Sequence, residues 1–384
     1  MAARIVIFVN GDFTAPESGS HIRFADQIAC VARHFADVSV YSYREHDVAP
    51  WTEAAQQRFA AQFPGVTLIL EPGGRPVRLA MRAKNLALMA MPHRARAIAA
   101  ASRHGATPLL RALVRDPRTV FLVNFTDGLT ELNGVPLERA IVDTIDIKFV
   151  RYAKLRGLSL FGAKALLRMR SELGLLSQVR GLIAISQAEA QAFRILLPTT
   201  ETFYVPRYTA PDIAIDRDVP RTIDILFVGS LNRYNVEGLA GWLAENRAWL
   251  APFKIAVAGK VCDAPELRAL ARDWPALALM GFVDELSGVY ARAALVVSPV
   301  EGTGLNIKVM EALAHGKPVL ASRHSLAALP PGAEACAFPI TRDGVEAMLA
   351  DPARRGAAEV AAAAYGRAMA QSGDLPALLG ALQR

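Results

Sequence analysis

The sequence predicts an α/β fold of two Rossmann-like parallel-sheet domains facing a cleft, and three observations predict it. Apolar runs of strand length alternate with helix-length segments along the chain, the pattern of parallel sheets with helical crossovers. The alternation breaks once, between residues 205 and 221, in a stretch with Pro206, Pro211 and Pro220 and little periodicity, which reads as a linker. A chain of 384 residues also exceeds what one core ordinarily serves. The predicted domains are 1–206 and 207–364, followed by a helical tail at 365–384.

In the first half, Ile5–Val9 reads as a strand, Ile22–His34 as a helix, and Val38–Tyr41, Val66–Leu70, Val120–Val123, Ala140–Val142 and Leu182–Ile185 as further strands. Ser186 is a good N-cap for a helix over Ala188–Leu196. After the linker, Ile223–Val228 is a strand, and Asn235 is a candidate cap for a helix over Val236–Leu250. Ile255–Ala258, Leu277–Val283, Leu295–Ser298 and Val319–Ala321 are the later strands, and the Ala-rich stretch from Ala350 is mostly helical.

Composition narrows the function classes. Apolar residues make 52% of the chain and charged residues 21%, a globular balance. No apolar run reaches the roughly 18 residues of a membrane helix, and the first strand is too short for a signal peptide. Cys30, Cys262 and Cys336 are widely spaced, odd in number and form no metal pattern; reduced thiols in a cytoplasmic protein are the expectation. Residues 1–206 hold 25 Lys and Arg against 17 Asp and Glu, whereas the remainder holds 18 against 19. Within the first half, residues 75–118 carry ten basic residues and one acid, and residues 148–180 eight and one. Such segments suit an anionic membrane surface, giving a peripheral location at an inner membrane face; the plainer reading is a solvated basic face. Nucleic acid is not expected, because neither segment interleaves aromatics for base stacking.

The most informative stretch runs from Ser298 to Ser322: strand, Gly-Thr-Gly turn, helix, glycine stop, strand. Gly302, Thr303 and Gly304 allow backbone to approach an anion at a helix N-terminus. Lys308 sits in the first helical turn, where a cation opposes the dipole, and Glu311 follows on the same face. That pairing suits a nucleoside diphosphate, with Lys308 for the phosphates and Glu311 for ribose hydroxyls. The plainer readings are a surface lysine and its i,i+3 partner. Gly316 reads as a helix stop and His315 as structural. Neither a dinucleotide fingerprint nor a Walker pattern occurs.

The ordered set Val228-Gly-Ser-Leu, Ala258-Gly, Gly281-Phe-Val-Asp-Glu, Ser298-Pro and Gly304…Lys308…Glu311-Ala-Leu-Ala-His-Gly-Lys-Pro-Val resembles the GT-B glycosyltransferases of family 4. The likeness covers about 100 residues; the first half matches more loosely, at Ser18–Arg23, Ile141–Asp146 and Ala184–Glu189. The resemblance implies a GT-B fold whose C-terminal helix crosses back to the first domain. It also implies transfer of a sugar from a nucleotide-sugar to a glycan or lipid-linked acceptor. The family usually retains anomeric configuration, needs no metal or other cofactor, and serves surface polysaccharide and glycolipid assembly, including lipopolysaccharide. The C-terminal domain would hold the donor and the N-terminal domain the acceptor. A GT-B nucleotide-sugar epimerase and a non-catalytic nucleotide-sugar-binding module are the alternatives.

On this basis the donor-binding candidates are Gly229, Ser230, Arg233, Gly259, Phe282, Val283, Thr303, Gly304, Leu305, Lys308 and Glu311. Lys308, Arg233 and the amides of residues 302–305 would neutralise the diphosphate, and backbone around Phe282 and Val283 would read the base. Two departures from the family stand out. Its usual first Glu falls on Thr303, since Glu301 is two residues too early, and its usual Arg and Lys pair in the loop after Val228 has no clear counterpart, Arg233 being the only cation there. Asp146 is the candidate for facing the donor sugar or acceptor hydroxyl, which with Lys308 and Glu311 completes the catalytic set; a helix cap at Asp143 or Asp146 is the plainer reading. Gly19, Ser20, His21 and Asp127 are the acceptor-side candidates, and Arg23 is either directed into the cleft or solvated at a helix start.

Overall fold

The computed structural model describes residues 3–15, 18–46, 49–72, 75–101, 107–132, 134–209, 219–301, 305–369 and 372–384. The chain forms two compact units, one of residues 1–16, 20–209 and 373–384, the other of 17–19 and 210–372.

The first unit is built on a seven-stranded sheet. Its strands are β1 (Arg4–Phe8), β2 (Asp37–Tyr43), β3 (Thr67–Glu71), β4 (Thr119–Asn124), β5 (Ala140–Asp143), β6 (Gly181–Ala184) and β7 (Glu201–Tyr204). Their order is β3-β2-β1-β4-β5-β6-β7, and every pair is parallel. The order reverses at β1–β4, which is where open α/β sheets carry ligands beyond their strand ends. Strands β4 and β5 are buried along their whole length, as expected of a sheet covered on both faces. One face packs Phe8, Phe121, Val142, Leu175 and Phe193. The other packs Ile7, Phe13, Trp51, Phe59 and Leu122.

The C-terminal helix Leu375–Gln383 belongs to this first unit, against β7. Asp374 Oδ2 accepts from Tyr204 N and Arg194 Nη2, both at 2.9 Å. Leu378, Ala381 and Leu382 complete the apolar layer. The chain therefore returns to its first sheet at its end.

The second unit has a six-stranded parallel sheet of β8 (Ile223–Val228), β9 (Ile255–Ala258), β10 (Leu277–Gly281), β11 (Ala293–Ser298), β12 (Val319–Ala321) and β13 (Ala337–Pro339). The order is β10-β9-β8-β11-β12-β13. The helix Pro352–Met369 packs on the helix Ile307–Ala314, where Gly366 lets two backbones meet: a Cβ there would lie 2.7 Å from Ala314 Cα. No helix among the described residues is long and apolar enough to cross a membrane.

Two edge strands, β7 and β13, and the helix Glu53–Gln62 were not predicted. Both strands are very short, β7 opening on the polar Glu201 and Thr202 and β13 holding three residues that end in Pro339, so neither carries a strand signal of its own. The cap of the helix Arg233–Leu250 is also not Asn235. Asn232 takes that place, accepting from Asn235 N, and the Asn235 side chain is released for another task.

Candidate active site

In the second unit, glycines mark the carboxyl ends of three adjacent strands. Gly229 N donates to Ala258 O at 2.9 Å, and Gly259 N donates to Gly281 O at 2.7 Å. A Cβ on Gly259 would stand 2.3 Å from Gly229 O, and its φ of +99° is itself glycine territory. A Cβ on Gly229 would stand 2.7 Å from the Phe227 ring. These glycines bring bare backbone together at the mouth of the sheet, in the place the sequence assigned to a ligand.

Lys308 reaches that mouth from the helix Ile307–Ala314. Its ammonium donates to Asn235 Oδ1 and lies 4.4 Å from the centroid of the Phe227 ring, a cation–π arrangement. Asn235, itself buried, donates through Nδ2 to Ser230 O at 2.8 Å. One side chain thus ties the loop after β8 to the lysine. No carboxylate pairs with Lys308 among the described residues. Its side chain is half-buried, and desolvation of the ammonium pushes its pKa down to about 7. A lysine tuned this way in a strand-end cluster is a functional-site signature.

Asn306 precedes the same helix without capping it. Its amide donates instead to Ser298 Oγ at 2.9 Å, so no Asn306 side-chain bond occupies the N–H groups of the first turn. Leu305 is buried beside them. Glu311, half-buried, faces the Tyr290 hydroxyl; burial, and then the Glu311 charge, push that phenol well above its ordinary value. His315 stacks on the Tyr290 ring at 4.3 Å, a structural place for that histidine. Gly316 has φ +67° and ends the helix as read from sequence.

Other candidates are more dispersed. Arg233 is exposed and paired with Glu237 at 2.7 Å on its own helix. Phe282 is 48% exposed and Val283 half-buried, just past β10. Thr303 and Gly304 lie outside the described residues.

In the first unit, Asp146 follows β5 in a strained turn. Ile145 has φ 60°, and Phe125, just past the neighbouring β4, has φ 61°; both are costly for non-glycine residues. Asp146 Oδ2 accepts from Arg151 Nη1 at 2.9 Å. Neither Asp143 nor Asp146 caps the next helix. Glu172 does so from elsewhere, accepting from Lys148 N at 2.9 Å and Phe149 N at 2.7 Å. Burial raises Glu172 to about 7; burial, with the charge of Asp146 second, raises Glu189 to about 8. Asp127 pairs with Lys148, whose pKa burial lowers to about 8. Asp127, Asp146, Lys148, Glu172 and Glu189 therefore form one titratable cluster beyond β4, β5 and β6.

Gly19 and Ser20 open the helix Gly19–His34, and His21 Nδ1 lies 3.0 Å from Ala15 O. Arg23 corrects both of its sequence readings: it is neither solvated nor free to meet a ligand. Its guanidinium grips Asp143 at 2.9 and 3.1 Å and donates to Val205 O at 3.0 Å. Gln27 and Tyr208 complete this buried network on Asp143 Oδ2.

Sequence reasoning missed Asn235, Tyr290 and Glu172 as site-shaping residues. Asn235 was visible only as a helix cap, while Tyr290 and Glu172 looked like ordinary helix residues. Their roles come from partners 21 to 73 positions away, a spacing with no local pattern.

Residues 222–364 match the family model described as Glycosyl transferases group 1. No curated protein matches the chain in sequence. Among solved structures, HepE of Anabaena, determined in complex with UDP and glucose, is 13% identical with a TM-score of 0.62; the match covers 98% of this chain and 99% of that one. WaaG, a glycosyltransferase involved in lipopolysaccharide biosynthesis, is 16% identical with a TM-score of 0.58, covering 98% and 97%. Sucrose-phosphate synthase of Thermosynechococcus elongatus is 14% identical with a TM-score of 0.57, covering 100% and 95%. At these identities the likeness is one of fold. With its two parallel sheets the chain has the GT-B fold, and residues 222–364 within it match the glycosyl transferases group 1 model.

Proposed function

We propose that the chain moves a sugar from a nucleotide-sugar to a glycan or lipid-linked acceptor, with retention of anomeric configuration, in surface polysaccharide or glycolipid assembly. The second unit holds the donor and the first the acceptor. The observation that carries the donor assignment is Lys308, an ammonium with no carboxylate partner among the described residues, held by Asn235 and Phe227 beside glycine-lined strand ends.

In this reading the diphosphate lies across the carboxyl ends of β8 and β9. Lys308 and the amides of the following helix's first turn stabilise charge as the bond from anomeric carbon to phosphate oxygen breaks. These fixed groups take the role a divalent metal plays elsewhere. Glu311 holds ribose hydroxyls, and backbone around Phe282 and Val283 lies against the base. Thr303 and Gly304 approach the donor sugar. Asp146 faces the reacting hydroxyl, beside Glu172 and Glu189, which burial raises to about 7 and about 8. That HepE was solved with UDP and glucose supports a uridine donor as the first to try. The basic segments 75–118 and 148–180 support a peripheral location at an inner membrane face, where a lipid-linked acceptor would be met.

The test is a thermal-shift panel of UDP-, GDP- and ADP-sugars, followed by nucleotide release with and without candidate acceptors. Ligand at 100 times its dissociation constant adds about 2.7 kcal/mol of stability. A shift with one donor class, and nucleotide release that requires acceptor, is the expected result. Donor isomerisation without acceptor, or binding without turnover, overturns the transferase reading in favour of an epimerase or a binding module.

A further inference from the structure

We propose that the first unit docks on an anionic lipid bilayer through one continuous face, with Phe161 as the apolar wedge that enters the headgroup layer. This deepens the membrane part of the functional reading above and rests on it.

The two basic segments are far apart in sequence but adjoin in the fold. The helix Ala163–Leu176 packs against the helix Arg75–Ala90, the turn Pro92–Arg94 and the helix Lys148–Leu155. Gly174 makes the closest approach possible, since a Cβ there would stand 2.3 Å from Pro92 Cβ. Leu88, Leu175 and Leu176 face inward to the core.

The outward face is neither a plain solvated helix surface nor a closed one. Residues 75–118 and 148–180 are about a fifth of the chain. Yet they hold eight of the thirteen exposed large apolar side chains among the described residues. An even scatter would put two or three there. Leu79 is 57% exposed, Leu86 70% and Phe161, in the turn between two helices, 89%.

Basic side chains are interleaved with these. Leu79, Arg82 and Leu86 fall at i, i+3 and i+7 of one helix, and Leu166, Leu167 and Arg170 share a face of the other. Arg82, Arg94, Arg156, Lys164 and Arg170 are exposed, and among the described residues none is paired with a carboxylate. The lone acid of each segment is occupied: Asp116 binds Arg118, and Glu172 is buried on backbone amides.

An anionic bilayer satisfies both parts of this surface at once. Phosphates and anionic headgroups take the cations, while the wedge and the leucines reach the acyl boundary. Nucleic acid would leave the leucines in water, and an acidic protein would need its own apolar groove to match Phe161.

The experiment is sedimentation of the full chain with vesicles of phosphatidylcholine alone and of phosphatidylcholine mixed with phosphatidylglycerol, at low and high salt. The variants are Phe161→Ser and the pair Arg82→Gln with Arg170→Gln, each checked for an unchanged donor-induced thermal shift. Wild-type protein is expected on the mixed vesicles only, and less at high salt. Phe161→Ser should weaken binding roughly tenfold or more. The arginine pair should weaken it and flatten the salt dependence. Wild-type binding that neither variant changes overturns this face and leaves the membrane reading standing. Equal sedimentation with both vesicle types overturns both, while leaving the donor assignment untouched.

Discussion

Lys308 donates its ammonium to Asn235 Oδ1, joining the first turn of one helix to that of another 73 residues earlier in the chain. The loop after β8 thereby acquires a cation it does not encode. Its own Arg233 is turned to solvent against Glu237, and Asn235 holds the incoming lysine over Phe227. The position that raised suspicion in the sequence, a cation against the helix dipole, is one that a neighbouring amide and an aromatic face make tenable.

Lys308→Ala and Glu311→Ala should each weaken nucleotide-sugar binding by about 10- to 100-fold, the range of one charge-assisted hydrogen bond. Asn235→Asp, which sets a carboxylate against the ammonium, should weaken it as well. Calorimetry gives the affinities and circular dichroism the integrity of the fold. Full affinity in both alanine variants would sink the site assignment.

Donor affinity should depend on pH through Lys308. Its pKa in the free protein is lowered to about 7, and a diphosphate at the ammonium stabilises the protonated form. Binding then takes up a proton above pH 7, so affinity falls as pH rises, by up to about tenfold per unit. A nucleotide-sugar is the right probe because its diphosphate does not titrate in that window. Lys308→Arg, whose charge is permanent, should bind with a flat profile between pH 7 and 9. The same lowered pKa has the opposite sign for folding: between 7 and 10.5 the unfolded chain binds more protons there, so this contribution to stability grows with pH.

Gly259→Ala should destabilise the second unit by about 1–3 kcal/mol, because it places a Cβ 2.3 Å from Gly229 O at φ +99°. Gly241→Ala is the control, as nothing lies within 4 Å of a Cβ there. Urea denaturation compares them, and equal midpoints would show that the strand ends are not in contact.

Arg23→Ala should cost about 3–5 kcal/mol, since it leaves the Asp143 carboxylate buried without its cation. A combined Arg23→Met and Asp143→Leu replacement should recover much of that loss. Thermal unfolding measures both, and a near-neutral Arg23→Ala would show that the buried Asp143 carboxylate does not depend on this guanidinium.

The alternation of apolar strands with amphipathic helices and the ordered glycines were legible without coordinates. Burial on both faces forces continuous apolar runs, and close backbone approach forces glycine; both constraints act within a few residues. The β8 to β12 series, Gly316 as a helix stop and Ser186 as a cap were therefore readable. The partners of individual side chains were not. Asn235 looked like a cap until Asn232 took that role, Arg23 was open between the cleft and solvent until Asp143 claimed it, and Glu172 caps a helix 24 residues before it. Local patterns record what each residue must do against its own backbone. Which charge meets which partner depends on where the sheets bring distant strand ends together, and only the tertiary structure decided that.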